Sequence, residues 1–266
     1  MIPLQDKRLF LLDMDGTIYL DEQLFDGTKD FLHYVRKIGG KYLFLTNNSS
    51  RSVDAYIQKM QRLQIAAVKD DFFTSVDALI VDLQQYDPNR LYYGFGTASF
   101  CAQLRQAGYR ITDRPEPEVD CLLCGFDTEL TFQKLEDACI LLNRGVEFIA
   151  TNPDWVCPTW YGSVPDCGSV CEMLTRATGR KPRFIGKPKP DMALLAMERF
   201  GFSREQTLLI GDRIYTDIAC GVNAGIDTAF VLSGEGVIED IGRYHVTPTY
   251  HFENIRELLN AIGDAI

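Results

Sequence analysis

The sequence predicts an α/β protein built on a mostly parallel sheet, and three observations carry that reading. Short apolar runs alternate with amphipathic segments from end to end, the pattern of strand–helix–strand units. Several of those runs end directly in polar groups that a buried strand does not need. The chain has 266 residues, 46% of them hydrophobic, which suffices for one large or two ordinary domains with a sizeable core.

The elements follow in order. Residues 9–12 are the first strand. Phe31, Leu32, Val35 and Ile38 then recur at helical spacing, and Gly39-Gly40 supplies a stop before a second strand at 42–45. A helix covers 53–63. Further strands are expected at 90–93, 121–123, 147–150, 184–185, 207–210 and 228–231, with helices at 132–143, 168–178, 192–200 and 214–224 between them. Residues 152–168, dense in Pro, Trp, Tyr, Gly and Cys, break the alternation and read as a long functional loop. Gly94-Phe95-Gly96 resembles the start of a dinucleotide fingerprint, but Ser99 occupies the third glycine position, which argues against a nucleotide cofactor.

Charge and cysteine usage narrow the function. Twenty-seven Lys and Arg against 37 Asp and Glu give a formal charge of −10, with no basic run or stripe, so neither nucleic acid nor an anionic membrane is an expected partner. Acidity does not exclude an anionic small ligand, because a bound metal inverts the charge locally. Residues 1–8 carry charge and no long apolar stretch, and no segment offers the ~20 apolar residues of a membrane span. The eight cysteines therefore read as reduced thiols of a cytoplasmic protein. Cys121 and Cys124 form a CxxC, but it lies inside an apolar run with none of the three histidines nearby, which argues against a metal or redox role.

Chemistry concentrates where strands end. The first strand runs into Asp13-Met14-Asp15-Gly16-Thr17, the second into Thr46-Asn47-Asn48, the strand at 207–210 into Gly211-Asp212, and the short strand at 184–185 into Gly186-Lys187. Ligands of open parallel sheets bind beyond the carboxyl ends of the strands, so these ends can face one site. Asp13, Asp15, Asp212 and Asp217 would repel one another without a cation, and hard oxygen donors select Mg²⁺. A divalent ion, an ammonium and hydroxyl, amide and backbone donors make a receptacle for a dianionic phosphoryl group. Taken singly, Asp15-Gly16 is also a common turn dipeptide, Thr46 and Asn47 could cap the helix that follows, and Asp217 could complement a helix N-terminus.

Asp13-Met14-Asp15-Gly16-Thr17 resembles the DxDGT signature of the haloacid dehalogenase (HAD) superfamily, and Thr46, Lys187 and Gly211-Asp212-x-x-x-x-Asp217 are similar to its later motifs in the same order. The segments 45–51, 150–154 and 186–190 narrow the resemblance to the NagD-like, p-nitrophenyl phosphatase-like branch (subfamily IIA). The resemblance implies a Rossmannoid, doubly wound core of residues 1–77 and 183–266, with an α/β cap of residues 78–182 inserted. It makes Asp13 the nucleophile that forms an aspartyl-phosphate, and Asp15 the general acid and then base, with its backbone carbonyl on the metal. Asp13, Asp15 and Asp212 would hold Mg²⁺, supported by Asp217, while Thr46, Asn47, Asn48 and Lys187 would bind phosphate. The implied activity is Mg²⁺-dependent hydrolysis of small phosphomonoesters, nucleoside monophosphates or sugar phosphates. Two alternatives remain open at this level: a phosphotransferase or mutase using the same aspartyl-phosphate, and a non-catalytic phosphometabolite-binding protein.

In similar proteins the segment matching residues 152–168 lies over the site. Asn152 and Asp154 are expected to bond substrate hydroxyls or a base edge there, and Trp155 or Tyr161 to offer a flat apolar face, with Cys157 and Trp160 in the same loop. Pro165-Asp166-Cys167-Gly168 departs from the more glycine-rich stretch of relatives, and Cys157 stands where some carry histidine, so substrate identity does not transfer. An exposed cap surface could carry a homodimer contact, though no residue pattern marks one.

Overall fold

The computed structural model describes residues 2–159 and 161–263, so Trp160 lies outside the described residues. Two parallel sheets dominate it. The first has six strands in the order Tyr250–Phe252, Asp227–Val231, Thr207–Gly211, Leu9–Leu12, Lys41–Thr46 and Phe72–Thr74. The chain starts near the middle of this sheet, adds two strands on one side, then returns to add three on the other. The winding direction therefore reverses beside Leu9–Leu12, and such a switch point opens a crevice at the strand carboxyl ends.

The strands are apolar at successive positions because both faces are covered. Leu9 and Leu11 pack with Leu43, Leu45 and Leu209 on one face, whereas Phe10 and Leu12 pack with Tyr42, Phe44, Leu208 and Ile210 on the other. The helix Thr28–Lys37 buries Phe31, Leu32 and Val35 at the expected spacing. The helix Val53–Arg62 is capped by Ser52, whose hydroxyl accepts from the Ala55 amide at 3.3 Å.

The second sheet orders Arg183–Phe184, Glu147–Ala150, Val119–Cys124, Leu91–Phe95 and Arg110–Thr112, all parallel. A single apolar cluster contains Leu43 and Leu45 of the first sheet, Tyr92, Leu123 and Ile149 of the second, and Val76, Leu79, Met192 and Ala196 from the helices Ser75–Leu83 and Asp191–Phe200. The division expected at 77/78 falls inside a helix, and the one expected at 182/183 falls at the start of a strand that belongs to the second sheet. The helix Ser75–Leu83 crosses the first, and Arg183–Phe184 pairs with Ile149 and Ala150 in the second sheet. A two-residue edge strand carries too little periodicity to reveal its partner.

Two other differences bear on the site. Residues 152–168 are not an irregular loop throughout, because Val156–Thr159 and Gly162–Pro165 pair as an antiparallel hairpin. Pro158 sits opposite Ser163, a placement a two-stranded ribbon tolerates because its outer edges need no ladder donor. The expected single helix over 214–224 opens instead with a π-helical turn, Ile214–Ile218, before the α-helix Ala219–Ala224. There the amides of both Asp217 and Ile218 donate to the Arg213 carbonyl, at 3.0 and 3.2 Å.

All eight cysteines are free, and Cys121 and Cys124 enter different apolar clusters, as residues three apart on a strand face opposite sides. Among the described residues no helix is long and apolar enough to cross a membrane.

Candidate active site

The centre of the site is a buried lysine between carboxylates. Lys187 Nζ donates to Asp13 Oδ1 at 2.6 Å, to Asp217 Oδ1 at 2.5 Å and to the Leu45 carbonyl at 2.9 Å. Asp13 follows the strand Leu9–Leu12, with its amide donating to the Ile210 carbonyl, so the central pair of strands fixes its backbone. Asp217 is aimed inward by the π-helical turn, and its second oxygen accepts from the Arg213 amide at 3.1 Å. π-Helical turns recur at functional sites because the extra residue re-aims a side chain.

Asp212 completes the group. Its Oδ2 accepts from the Glu235 amide at 2.7 Å, and a Cβ at either Gly16 or Gly234 would collide with that oxygen. Gly16 also holds φ +89, so glycine is required there on both counts. Asp13, Asp212 and Asp217 each present a carboxylate oxygen within 4.8 Å of the others. Burial, with the charges of Asp217 and Asp212, pushes the Asp13 carboxyl well above the usual range despite Lys187. Burial and Asp217 push Asp212 up to about 7. Lys187 is raised: burial opposes its charge, and Asp13 with Asp217 outweighs that opposition. Three carboxylates around one ammonium leave an excess of negative charge in a desolvated place, with oxygen-only donors. That donor set fits Mg²⁺.

Asp15 stands at the open side, with 31% of its side chain exposed. Lys59 Nζ lies 3.6 Å from its Oδ1 and 3.5 Å from the Tyr19 ring centroid, and Tyr19 Oη is 3.5 Å from Oδ2. Thr46 is buried as the last residue of its strand, and its hydroxyl accepts from the Asn48 amide at 3.1 Å. The Asn47 side chain has other duties than expected, while Asn48 lines the cavity. The Asn47 amide spans two loops, donating to Asp154 Oδ2 and the Lys187 carbonyl, both at 3.0 Å, and accepting from the Lys187 amide at 2.9 Å. Asn48 Oδ1 accepts from the amide and hydroxyl of Ser50, which closes the turn.

The hairpin segment covers the site. A cavity of about 40 Å³ is lined by Asp13, Asp15, Thr46, Asn47, Asn48, Lys187 and Asp217 from below, and by Asp154, Cys157, Pro158 and Asp166 from above, with Arg213 and Thr216 at its side. Asp154 Oδ1 is buried without a hydrogen-bond partner, 3.9 Å from Arg213 Nη1. Burial raises its pKa despite Arg213 and Lys187, and burial with the Asp154 charge pushes Asp166 up to about 8.

Two expected recognition residues are placed otherwise. Asn152 is fully buried behind the site, donating to Asp154 Oδ2 at 3.0 Å and Asp166 Oδ1 at 3.2 Å, so it organises the acids and does not line the cavity. Trp155, 53% exposed, lines a separate cavity with Pro153 and Phe184. Two residues along, Cys157 does reach the site. Arg213 and Lys59 are not among the residues the sequence singles out, and Asp166 figures there only within a stretch unlike that of relatives. Arg213 adjoins the Gly211-Asp212 motif, which is a signal of sorts; Lys59 and Asp166 arrive only through tertiary packing.

Comparison with known proteins agrees with this geometry. The chain matches the haloacid dehalogenase-like hydrolase family over residues 10–110 and the HAD hydrolase-like family over residues 184–258. It belongs to the haloacid dehalogenase-like hydrolases. Among its relatives, the acid sugar phosphatase of Staphylococcus aureus (strain USA300) is 32% identical over 256 residues, 96% of this chain and 98% of that protein. The structure of 4-nitrophenylphosphatase from Thermotoga maritima superimposes with a TM-score of 0.90 at 36% identity, covering 97% of this chain and 98% of that one. Glycerol phosphate phosphatase from Mycobacterium tuberculosis, solved in complex with magnesium, gives 0.89 at 30% identity over 97% of this chain and 78% of that one. Other structural neighbours are named as a putative NagD protein and a p-nitrophenyl phosphatase from Archaeoglobus fulgidus, in keeping with the NagD-like, p-nitrophenyl phosphatase-like branch.

Proposed function

We propose that this hydrolase is a Mg²⁺-dependent phosphatase of small phosphomonoesters, with sugar and polyol phosphates as its preferred class and Asp13 as its nucleophile. Relatives named as sugar, glycerol and nitrophenyl phosphatases support the class of reaction. The observation that carries the mechanism is the Lys187 ammonium held between Asp13 and Asp217 at the strand ends.

Asp13 and Asp212, with the Asp15 carbonyl, are the groups to hold Mg²⁺, and Asp217 stands in support. The ion supplies Lewis-acid stabilisation of charge on the phosphoryl oxygens. The remaining steps belong to the chain. Lys187 fixes Asp13 Oδ1 and offsets its repulsion toward an incoming phosphate dianion. An Asp13 carboxylate oxygen attacks phosphorus while Asp15 protonates the leaving oxygen, giving an aspartyl-phosphate and a free alcohol. Asp15, now a carboxylate, takes a proton from water as that water attacks phosphorus; the bond between Asp13 and phosphorus breaks, inorganic phosphate leaves, and the Asp13 carboxylate and protonated Asp15 are restored. Lys59 Nζ, 3.6 Å from Asp15 Oδ1, helps to hold that side chain in place. The Thr46 hydroxyl is the phosphate donor of this turn, since the Asn47 side chain is fully engaged and the Asn48 and Ser50 amides donate within the turn.

The hairpin side gives the substrate preference. Among the described residues, Asp154 Oδ1 is a buried acceptor there without a hydrogen-bond partner, suited to a substrate hydroxyl, and none of the described lining residues is aromatic or offers a nucleobase a stacking face. A cavity of about 40 Å³ is far smaller than an ordinary ligand pocket, so the strands Val156–Thr159 and Gly162–Pro165 above it must move to admit a phosphoester. The eight free thiols are compatible with a cytoplasmic setting. A phosphate-release panel tests the reading. Glycerol and hexose phosphates should turn over faster than nucleoside monophosphates, EDTA should stop every reaction, and Mg²⁺ should restore it. Preference for nucleotides overturns the substrate class, and turnover in EDTA overturns the metal.

A further inference from the structure

The second sheet holds a cluster of thiols outside the phosphatase chemistry. Cys124 ends the strand Val119–Cys124, and Cys167 and Cys171 occupy the first turn and a half of the helix Cys167–Thr178. Their sulfurs form a nearly equilateral triangle: Cys167 to Cys124 is 3.9 Å, Cys167 to Cys171 is 3.9 Å, and Cys171 to Cys124 is 3.8 Å. The three residues are at most 1% exposed. The centre of such a triangle is about 2.2 Å from each corner, close to the roughly 2.3 Å of a metal–thiolate bond.

The geometry points to a three-coordinate site for a soft, thiophilic cation, monovalent copper above all, formed by Cys124, Cys167 and Cys171. Thiolate sulfur selects Cu(I) and Zn²⁺ over hard ions. Zn²⁺ in a closed site takes four ligands, and among the described residues no His, Asp, Glu or fourth Cys joins the set. Thr151 Oγ1 is 3.8 Å from Cys167 Sγ, beyond bonding reach of a metal at the centre, and already donates to Asn152 Oδ1 at 2.8 Å. A disulfide is the poorer reading, since it needs two sulfurs at about 2.05 Å and leaves the third unused. Cys167 opens its helix, where aligned backbone amides favour a thiolate. Binding transfers no electrons; each thiol that becomes a thiolate releases its proton to solvent.

Cys171, 1% exposed, is among the residues that line a cavity of about 280 Å³ with Pro153, Trp155, Glu172 and Phe184, so the approach to the triangle that avoids the phosphate site lies on this side.

The test is anaerobic titration of the whole protein with Cu(I) against a chromophoric Cu(I) chelator, with X-ray absorption on the loaded protein. One equivalent per chain should be retained, with sulfur alone in the first shell at three bonds. Cys171→Ser should weaken retention at least 100-fold while Mg²⁺-dependent hydrolysis of p-nitrophenyl phosphate is kept, and Cys121→Ser should leave retention unchanged. Equal retention by wild type and a folded Cys171→Ser protein overturns the assignment, as does nitrogen or oxygen in the first shell. Retention of Zn²⁺ but not Cu(I) overturns three-coordination. Should Cys171→Ser fail to fold, the absorption spectrum of the wild type decides alone.

Discussion

Replacing Lys187 by methionine removes the ammonium and keeps a comparable apolar stem. At an effective dielectric constant of ~20, each of its contacts with Asp13 and Asp217, at 2.6 and 2.5 Å, is worth about 6 kcal/mol before desolvation is counted. Desolvation of an ammonium that is 2% exposed takes back much of this, and measured losses from breaking a buried pair are about 3–5 kcal/mol. The variant should therefore unfold about 3–5 kcal/mol more easily in urea with EDTA present, and part of that loss should return with Mg²⁺, which supplies positive charge to the same carboxylates. Catalysis should fall further than binding. An unanchored nucleophile that repels its substrate loses at least the ~10²–10³ typical of one deleted electrostatic group, read as kcat/KM for p-nitrophenyl phosphate at saturating Mg²⁺. A kcat/KM within tenfold of wild type, with stability changed by less than ~1 kcal/mol, would refute the placement of Lys187 at the centre of the reaction.

The other predictions test the walls of the site. Asp154→Asn should raise KM for glycerol and hexose phosphates about 10–100-fold, the range of one polar contact, and change p-nitrophenyl phosphate little; an equal effect on both would remove Asp154 from substrate recognition. Trp155→Ala should leave kcat and KM within about twofold on every accepted substrate, because its ring lines the separate cavity beside Cys171, and a selective change would reinstate it. Gly234→Ala should cost about 1–3 kcal/mol of stability and raise the Mg²⁺ concentration needed for half-activation, since the added methyl displaces Asp212; unchanged Mg²⁺ dependence would contradict that role.

Much of this was legible in the sequence because the chemistry sits where strands stop. Leu9–Leu12 and the apolar part of Lys41–Thr46 leave no ambiguity about direction, and the residues that follow them must lie at one edge of the sheet. Asp212 and Lys187 were found the same way. Asp217 reads in the sequence equally as a carboxylate complementing a helix N-terminus, whereas the π-helical turn aims its side chain at Lys187. The hairpin escaped because Pro158 and Pro165 interrupt any alternation, and its pairing is confined to a ribbon of eight residues. Asn152, Asp154 and Trp155 looked alike as loop residues; only packing separates a buried organiser, a cavity wall and a side chain facing another cavity. The cysteine triangle was hidden for the same reason. Its members are separated by 43 and by four positions in the chain, so spacing drew attention to Cys121 instead.

The most direct measurement of the central claim uses Asp15→Asn with p-nitrophenyl phosphate, whose leaving group needs little protonation. Without a base for the second step, the phosphoenzyme should accumulate. Rapid mixing should give a burst of one p-nitrophenolate per active site, and acid quenching followed by peptide mapping should place the phosphoryl group on Asp13. No burst, or phosphate on any other residue, would contradict the account.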